Sequence, residues 1–196
     1  MTNATIPRAE GSAPTYRLLR TTQLAGDLST VFAFFKDPRN LETITPPWLG
    51  FRITSTSDDI VRSGTRIRYR LKLHGIPMSW ESRITDFVED SHFADEQITG
   101  PYSFWYHRHS FRSANGGVEM TDDVEYRLPF GPLGRFVHWL VVRHQLRTIF
   151  DYRTKVIAEQ FDARVTAAQT AGTAARTHAP TPTHAHQYLV TRRPTD

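Results

Sequence analysis

The sequence contains no cysteine among its 196 residues. Disulfide bonds, zinc–thiolate sites, iron–sulfur clusters and thiol nucleophiles are therefore excluded. Long apolar runs are also missing, since the longest block, FVHWLVV at 136–142, is far shorter than a membrane span. The N-terminus lacks the apolar core of a secretory signal. We expect a cytoplasmic protein without a transmembrane segment, whose stability depends on its hydrophobic core alone.

Several catalytic and cofactor-binding fingerprints are absent as well. No serine lies in a G-x-S-x-G nucleophile elbow, and the sequence has neither a phosphate loop nor a dinucleotide-binding glycine pattern. No cofactor is therefore predicted. A formal charge of +4 could indicate an acidic partner, but the basic residues alternate with apolar ones along strands or lie on the outer side of a helix. This arrangement is typical of solvated faces, so nucleic-acid binding is not predicted.

Composition divides the chain into three parts. Residues 1–14 have no periodicity and are expected to be a flexible leader, and residues 15–163 are expected to form one domain. From residue 164 onward the sequence is rich in Ala, Thr, Pro and His. We expect a disordered tail at 164–196, in which histidines could catch a metal nonspecifically but have no fixed geometry.

Periodicity predicts a strand, two short helices, a series of strands and one long helix. Asp27 is expected to cap the first short helix, and Pro38 to occupy the first position of the second, at roughly 38–44. Alternating segments predict strands at 16–24, 51–57, 63–75, 78–90, on both sides of Thr99-Gly100-Pro101, and at 116–128. From about residue 133 the period becomes helical. The expected fold class is α+β: a curved antiparallel sheet around a long C-terminal helix, with two short helices after the first strand and a hollow in between.

The stretch FADEQITGPYSFWYHRHSF (93–111) places two histidines on one face of a strand. Because side chains alternate along a strand, Trp105, His107 and His109 point the same way. Asp122 is expected on the inner face of the last strand, and Arg153 falls within the apolar stripe of the long helix, where a charge needs a partner. The polar residues expected to face the hollow are Asp95, Gln97, His107, His109, Asp122 and Arg153.

These polar residues allow three interpretations. In the first, Asp122 or Asp95 pairs with Arg153 or a histidine as an internal network without chemistry. In the second, Arg153 and the histidines bind the polar or anionic head of an otherwise apolar ligand. In the third, His107 or His109 transfers a proton while Asp122 orients it. The sequence leaves all three open.

The histidine pair and the neighbouring aromatic residues each raise one further question. His107 and His109 could be metal ligands, with Asp95 or Asp122 completing the set, but a His-x-His pair alone is a weak signal and no metal site is predicted. The rings expected on the inner face either fill the core or line a ligand tunnel. They belong to Tyr69, Trp80, Trp105, Phe111, Tyr126 and Phe150. The convergence of many rings and polar groups on one face favours a tunnel.

The chain resembles the START-like, or SRPBCC, superfamily of helix-grip proteins, which includes Bet v 1 relatives, and within it the polyketide cyclase/dehydrase type of ligand-binding protein. The resemblance covers about residues 16–162 and rests on the element order and on four blocks. These are TPPWLGF (45–51), the 93–111 stretch, MTDDVEYRLPFGPLG (120–134) and IFDYR (149–153). It implies a hydrophobic ligand tunnel between the sheet and the long helix.

The resemblance does not imply one activity. Together with the alternating polar and apolar faces, it favours a carrier or sensor of a small hydrophobic molecule, such as a lipid, quinone, polyketide or isoprenoid-like compound. The alternative is an enzyme of the polyketide cyclase/dehydratase type, in which a pocket His/Asp pair transfers protons. A subgroup with these blocks occurs alone or attached to an epimerase-like dehydrogenase. A separate dehydrogenase is therefore a further possible partner, for which this chain would act as an interaction module.

Overall fold

The computed structural model describes residues 14–73 and 75–177, with side chains described up to residue 167. Seven strands form one antiparallel sheet in the order β1-β7-β6-β5-β4-β3-β2. They are β1 (Tyr16–Leu24), β2 (Arg52–Thr56), β3 (Arg66–Leu73), β4 (Ile76–Val88), β5 (His92–Thr99), β6 (Phe104–Ala114) and β7 (Gly117–Arg127). Irregular register between β4 and β5, and within β2, adds curvature.

The helices lie in two groups. After β1 come α1 (Leu28–Lys36), α2 (Asn40–Thr43) and a 3₁₀ turn (Pro47–Leu49); after β7 come α3 (Gly131–Val137), a π-helical turn (His138–Val142) and α4 (Arg143–Thr177). The predicted α+β helix-grip fold is confirmed. No helix in the described part of the chain is long and apolar enough to cross a membrane.

The two short helices follow the predicted order but differ in detail. Asp27 caps α1 as predicted, because its side chain accepts a hydrogen bond from the backbone N–H of Thr30 at 2.9 Å. The prediction that Pro38 begins the second helix is wrong. The Asp37 carboxylate accepts the backbone N–H of Arg39 at 3.0 Å and holds a turn there, so α2 begins only at Asn40.

The long helix extends beyond the predicted domain end at residue 163. It continues to Thr177, within the segment 164–196 for which the sequence predicts disorder. The reason is visible in the sequence, because this segment is rich in Ala and the next proline after Pro132 is Pro180. The predicted leader up to residue 13 and the rest of the predicted tail, 178–196, lie outside the described residues.

The core consists of two apolar clusters with a polar group between them. The first surrounds α1, where Phe32 is fully buried. It includes Phe161, the last buried residue of α4 among those whose side chains are described. The second is formed by the other end of the sheet and the start of α4, with Val124 and Phe150. His107, His109, Asp122 and Arg153 are also buried. The fold therefore places ionisable side chains at the junction of two apolar regions.

Candidate functional site

A cavity of about 190 Å³ lies between the inner face of the sheet and α4. Most of its wall is apolar and comes from α1, β3, β4 and α4, for example from Phe35, Leu71, Ile84, Leu146 and Ile149. Alternation along β3 and β4 explains this wall, since each second residue points inward. The sheet and the helix thus enclose the hollow that the sequence predicts.

Eight of the eleven predicted site residues line this cavity. They are Tyr69, Trp80, Asp95, Trp105, His107, His109, Phe150 and Arg153. They come from four different strands and from α4. The curvature of the sheet is therefore what brings these distant parts of the sequence to one cavity.

The other three predicted site residues do not line the wall. Gln97 bridges the β5–β6 turn, where its Nε2 donates to the carbonyl oxygen of Tyr102 at 2.7 Å. Tyr126 is buried in the second apolar cluster, with its hydroxyl 2.9 Å from His138 Nε2. Asp122 contacts the two cavity histidines without reaching the wall itself. Strand alternation predicts the correct face for these residues but not how far along that face the cavity extends.

Both histidines donate to the same oxygen of Asp122. The distance from His107 Nε2 to Asp122 Oδ1 is 2.9 Å, and that from His109 Nδ1 is 2.8 Å. The register explains this arrangement, since β6 and β7 place His109 directly opposite Asp122, and His107 lies two residues away on the same face. The two imidazole rings are only 3.9 Å apart between centroids.

Asp95 approaches the same rings from the neighbouring strand. Its Oδ1 lies 3.6 Å from His107 Nδ1 and 3.5 Å from His109 Nε2. The pairing of β5 with β6 sets Asp95 opposite His107. Each imidazole therefore stands between two carboxylates, with one nitrogen towards Asp122 and the other towards Asp95. These three cavity-lining residues also offer potential metal-ligand atoms that lie within 4.8 Å of one another.

Arg153 brings a cation to this group from α4. Its side chain is only 8% exposed, and its Nε lies 3.6 Å from Asp122 Oδ2. That Nε has no hydrogen-bond partner among the residues that the structure describes. The guanidinium carbon also lies 5.7 Å from the centroid of the Phe35 ring. Arg153 therefore neutralises Asp122 while retaining an unused donor at a residue that lines the cavity.

Ser82 is a polar contact that the sequence interpretation missed. Its hydroxyl oxygen accepts a hydrogen bond from Trp80 Nε1 at 3.1 Å, lies 3.2 Å from the Tyr69 hydroxyl, and lies 3.4 Å from Asp95 Oδ2, to which it donates. Alternation along β4 already puts Ser82 on the same face as Trp80. A small hydroxyl residue gave no signal of its own, however, and two of its three partners, Tyr69 and Asp95, are each 13 residues away in sequence.

Both carboxyl groups are held in the ionised form. Burial alone would raise the pKa of Asp122, but the charge of Arg153 and the hydrogen bonds from both histidines lower that pKa well below its usual value. Burial likewise opposes ionisation of Asp95, but the interactions with His109 and His107 outweigh it and lower the pKa of Asp95. The site therefore carries two negative charges at neutral pH.

The pKa values of the two histidines shift in opposite directions. Burial and the nearby charge of His109 lower the pKa of His107, in spite of its hydrogen bond to Asp122. Burial also disfavours the charged form of His109, but the interactions with Asp122 and Asp95 are stronger and raise its pKa. With His109 charged and His107 neutral, the two carboxylates are balanced by His109 and Arg153. The neutral His107 presents an unprotonated nitrogen beside an apolar cavity.

Comparison with known proteins gives a match to one family model. Residues 24–150 match the model of the family described as polyketide cyclase/dehydrase and lipid transport. A search of curated proteins found no match. The family match gives no support for a dehydrogenase partner.

Solved structures with similar folds come from several kinds of protein. A START superfamily protein from Mycobacterium smegmatis has a TM-score of 0.57 and 13% identity, over 75% of this chain and 97% of that one. The major latex-like protein 151 from Panax ginseng has a TM-score of 0.53 and 13% identity, over 75% and 97%. The di-domain aromatase/cyclase StfQ of the steffimycin biosynthetic pathway has a TM-score of 0.60 and 8% identity, over 78% and 52%. At these identities the likeness shows the fold alone.

Proposed function

Because the chain belongs to the polyketide cyclase/dehydrase and lipid transport family, within the START/Bet v 1-like SRPBCC superfamily, we propose that it binds one small, largely apolar molecule in the cavity as a carrier or sensor. The ligand class is a lipid, quinone, polyketide or isoprenoid-like compound. Its apolar part packs against the aromatic and aliphatic wall. Its polar end faces His107, His109 and Arg153.

The observation that carries this proposal is the contrast between the wall and one end of the cavity. Aliphatic and aromatic side chains form most of the surface, while Asp95, both histidines and Arg153 meet at one place. A buried donor without a partner, such as Arg153 Nε, is uncommon in folded proteins. A ligand oxygen at this end would supply the missing acceptor. This pattern of an apolar pocket with a few convergent polar groups is typical of small-molecule sites.

The cavity volume limits the size of the enclosed group. A dry apolar cavity of about 150 Å³ is large enough to bind benzene. The volume of about 190 Å³ in this protein therefore fits a group of one or two rings, or a short branched chain.

The proposal can be tested with 2-naphthoate, which combines two fused rings with one carboxylate. We expect one equivalent to bind saturably, measured by quenching of tryptophan fluorescence. Leu71→Trp fills the cavity from β3 and should weaken binding at least tenfold. Arg70→Trp is the matched control, because the neighbouring residue of the same strand is exposed on the other face.

Circular dichroism and thermal melting establish that both variants are folded. Equal affinity in the wild type and in a folded Leu71→Trp variant would place the binding outside the cavity. Absence of saturable binding, together with no apolar compound extractable from protein purified without detergent, would contradict the proposal itself.

A second candidate function is proton transfer of the cyclase/dehydratase type. It is favoured by one observation: His107 lines the cavity, is neutral at pH 7 because burial and His109 lower its pKa, and donates through Nε2 to Asp122. Its Nδ1, which lies 3.6 Å from Asp95 Oδ1, is then unprotonated and in position to accept a proton from a bound molecule, with Asp122 fixing the tautomer.

Substitution of the two histidines separates the two candidate functions. General base catalysis contributes about 10²–10⁴ in rate. For an enzyme, His107→Gln should therefore lower kcat by at least 100-fold while the affinity for the extracted ligand changes only a few-fold. Equal effects of His107→Gln and His109→Gln on ligand affinity, with no turnover by the wild type, would favour the carrier.

A further inference from the structure

Binding of an apolar ligand does not require the side-chain arrangement found at the polar end of the cavity. Asp95 Oδ1 lies 3.6 Å from His107 Nδ1 and 3.5 Å from His109 Nε2, and all three residues line the cavity. Two imidazole nitrogens and one carboxylate oxygen thus converge from adjacent strands. Their potential ligand atoms all lie within 4.8 Å of one another.

These separations are close to those of ligands around one metal ion. Two ligand atoms that are each about 2.1 Å from a metal and subtend a tetrahedral angle are about 3.4 Å apart. The Asp95–His107 and Asp95–His109 separations exceed this value by only a few tenths of an ångström. Small rotations about the side-chain bonds would therefore bring the three atoms into coordination distance.

Asp122 has the position of a supporting carboxylate. Histidines that bind metals usually donate their other ring N–H to a carboxylate or carbonyl, which fixes the tautomer and the ring orientation. His107 does so through Nε2 and His109 through Nδ1, and both donate to Asp122 Oδ1. The nitrogens left over are the two that face Asp95. One carboxylate therefore orients both rings towards the same point.

The charges of the group also suit a cation. Metal ligation requires both histidines to be neutral, so binding would release the proton of His109, after which Asp95, Asp122 and Arg153 sum to one negative charge. A divalent ion would change this sum to one positive charge, which an anionic oxygen of a ligand would neutralise. The apolar wall leaves the remaining coordination positions on the cavity side.

We propose that Asp95, His107 and His109 form a binding site for one divalent first-row transition metal ion such as Fe²⁺, Co²⁺ or Zn²⁺. Two histidines and one carboxylate with open positions are a donor set that these ions favour. Sequence reasoning predicted no metal, because a His-x-His pair is weak evidence and the third ligand depends on the β5–β6 register. The ion would bind an oxygen at the polar end of the cavity ligand. The metal site itself can be tested with the metal alone.

The test uses the full chain without an affinity tag, with His178, His184 and His186 of the tail replaced by Ala. Visible absorption during titration with CoCl₂ and calorimetry with ZnCl₂ should both show one equivalent bound. Asp95→Asn should weaken binding at least tenfold. Asp122→Asn should weaken it by about 10–100-fold, as expected for loss of a carboxylate that orients metal-binding histidines. The matched control is His92→Gln, since His92 also lies on β5 but contacts Asp86 instead.

Folding of each variant is checked by circular dichroism at the titration temperature. Asp95→Asn preserves shape and leaves the Asp122–Arg153 pair in place, so this variant decides the question if Asp122→Asn is unfolded. Absence of binding to the folded protein, or equal affinity in the wild type and Asp95→Asn, would overturn the proposal. Loss of binding in His92→Gln with retention in Asp95→Asn would also overturn it.

A separate observation concerns the outside of the molecule. The segment from the end of β7 to the π-helical turn exposes six large apolar side chains, which we call the α3 surface. They are Phe130, Leu133, Phe136, Val137, Trp139 and Leu140. Phe130 is 79% exposed and Trp139 is 68% exposed. Phe130 also has a φ of 68°, a left-handed conformation that is unfavourable for a bulky residue.

Positive charge surrounds the α3 surface. Residues 129–150 contain no Asp or Glu. Arg135, Arg143 and Arg147 of this segment are exposed, and none of them forms an ion pair within the part of the chain that the structure describes. Exposed Trp, Phe and Leu beside unpaired arginines are typical of surfaces that bind to membranes with anionic lipids.

The geometry points to a second site of interaction, in which the α3 surface docks on an anionic lipid bilayer. Leu140 lines a shallow groove together with Trp48 and Leu49, and Leu49 also lines the cavity. The surface therefore adjoins the cavity wall, which is the position required for exchange of an apolar ligand with a bilayer. This inference does not depend on the metal site.

Vesicle co-sedimentation tests the second inference. We expect the protein to bind vesicles of phosphatidylcholine with phosphatidylglycerol at least tenfold more strongly than vesicles of phosphatidylcholine alone. Leu133→Ser/Trp139→Ser should abolish this binding, while Val88→Ser/Ile98→Ser, which removes exposed apolar residues elsewhere, should not. Equal binding by both double variants would overturn the inference. It would also be overturned if sedimentation velocity showed a dimer that only Leu133→Ser/Trp139→Ser disrupts, because a second copy would then cover the surface.

Discussion

Removal of the Asp122 charge should be among the most damaging isosteric changes in this protein. Asp122 accepts hydrogen bonds from His107 and His109 and lies 3.6 Å from Arg153, all of them buried. In Asp122→Asn the buried cation of Arg153 loses its closest carboxylate. Breaking a buried pair by removing one partner costs about 3–5 kcal/mol. For a protein of this size, that free energy corresponds to a decrease in Tm of about 6–20 °C.

Asp123→Asn provides a matched control on the same strand. Asp123 points to the opposite face and pairs with Arg17, with side-chain exposures of 25% and 59%. Such a surface ion pair contributes about 0–1 kcal/mol. The free energy of unfolding is measured by urea titration with circular dichroism at pH 7. A cost for Asp122→Asn no larger than that for Asp123→Asn would refute the view that Asp122 holds the buried charges together.

The stability lost in the same variant should change with pH in a direction that can be checked. Because the folded protein lowers the pKa of Asp122 well below its usual value, its contribution to stability is present above about pH 4. The contribution is lost as the pH falls towards the folded pKa. The difference in stability between the wild type and Asp122→Asn should therefore be largest between about pH 5 and pH 6.5, where both the Asp122 charge and its interaction with charged His109 contribute, and should shrink in acid. A difference that grows in acid would contradict this assignment.

Three further predictions follow from contacts near the site. The pKa of His109 is raised because the interactions of this residue with the two carboxylates outweigh burial. The stabilising effect of His109 should therefore be present below about pH 6.5 and lost as the pH rises through the folded pKa. Urea unfolding of the wild type and His109→Gln should show a smaller difference in stability at pH 9 than at pH 6, and a larger difference at pH 9 would refute this prediction. Ser82→Ala leaves the Trp80 N–H without its acceptor and should cost about 1–3 kcal/mol in the free energy of unfolding, whereas a cost below about 0.5 kcal/mol would show that water replaces the hydroxyl. Gly134→Ala would place a Cβ 2.1 Å from the carbonyl oxygen of Pro129, so α3 must shift. Thermal melting should show a loss of about 1–3 kcal/mol in the free energy of unfolding. An unchanged Tm would contradict this close approach.

Strand alternation explains why much of the site could be predicted from the sequence. A period of two places His107 and His109 on one face of β6, and helical spacing places Arg153 on the inner stripe of α4. These arguments need only the type of element and not its neighbours. For the same reason, Tyr69 on β3 and Trp80 on β4 could be placed on the inner face.

The remaining features depend on contacts between distant elements, which periodicity does not specify. The approach of Asp95 to both histidines depends on the β5–β6 register, and the roles of Ser82 and Gln97 depend on which neighbours they meet. The opposite shifts of the pKa values follow from burial and the charge of His109 acting on His107, and from the hydrogen bonds of His109 to Asp122 and Asp95. The end of α4 at Thr177 lies beyond the predicted domain end at residue 163, because the same alanine-rich composition that is typical of a polar tail also favours a helix.

The binding of a small molecule inside the cavity can be tested most directly through the four tryptophans of the chain. Trp80 and Trp105 line the cavity, whereas Trp139 is exposed on the α3 surface. We propose to follow the indole ¹H–¹⁵N signals by NMR during a titration with 2-naphthoate, after assignment by single Trp→Phe substitutions. We expect the signals of Trp80 and Trp105 to shift together and to saturate at one equivalent, while that of Trp139 stays in place. If 2-naphthoate binds but leaves Trp80 and Trp105 unshifted, the cavity is not the binding site and the proposed function is contradicted.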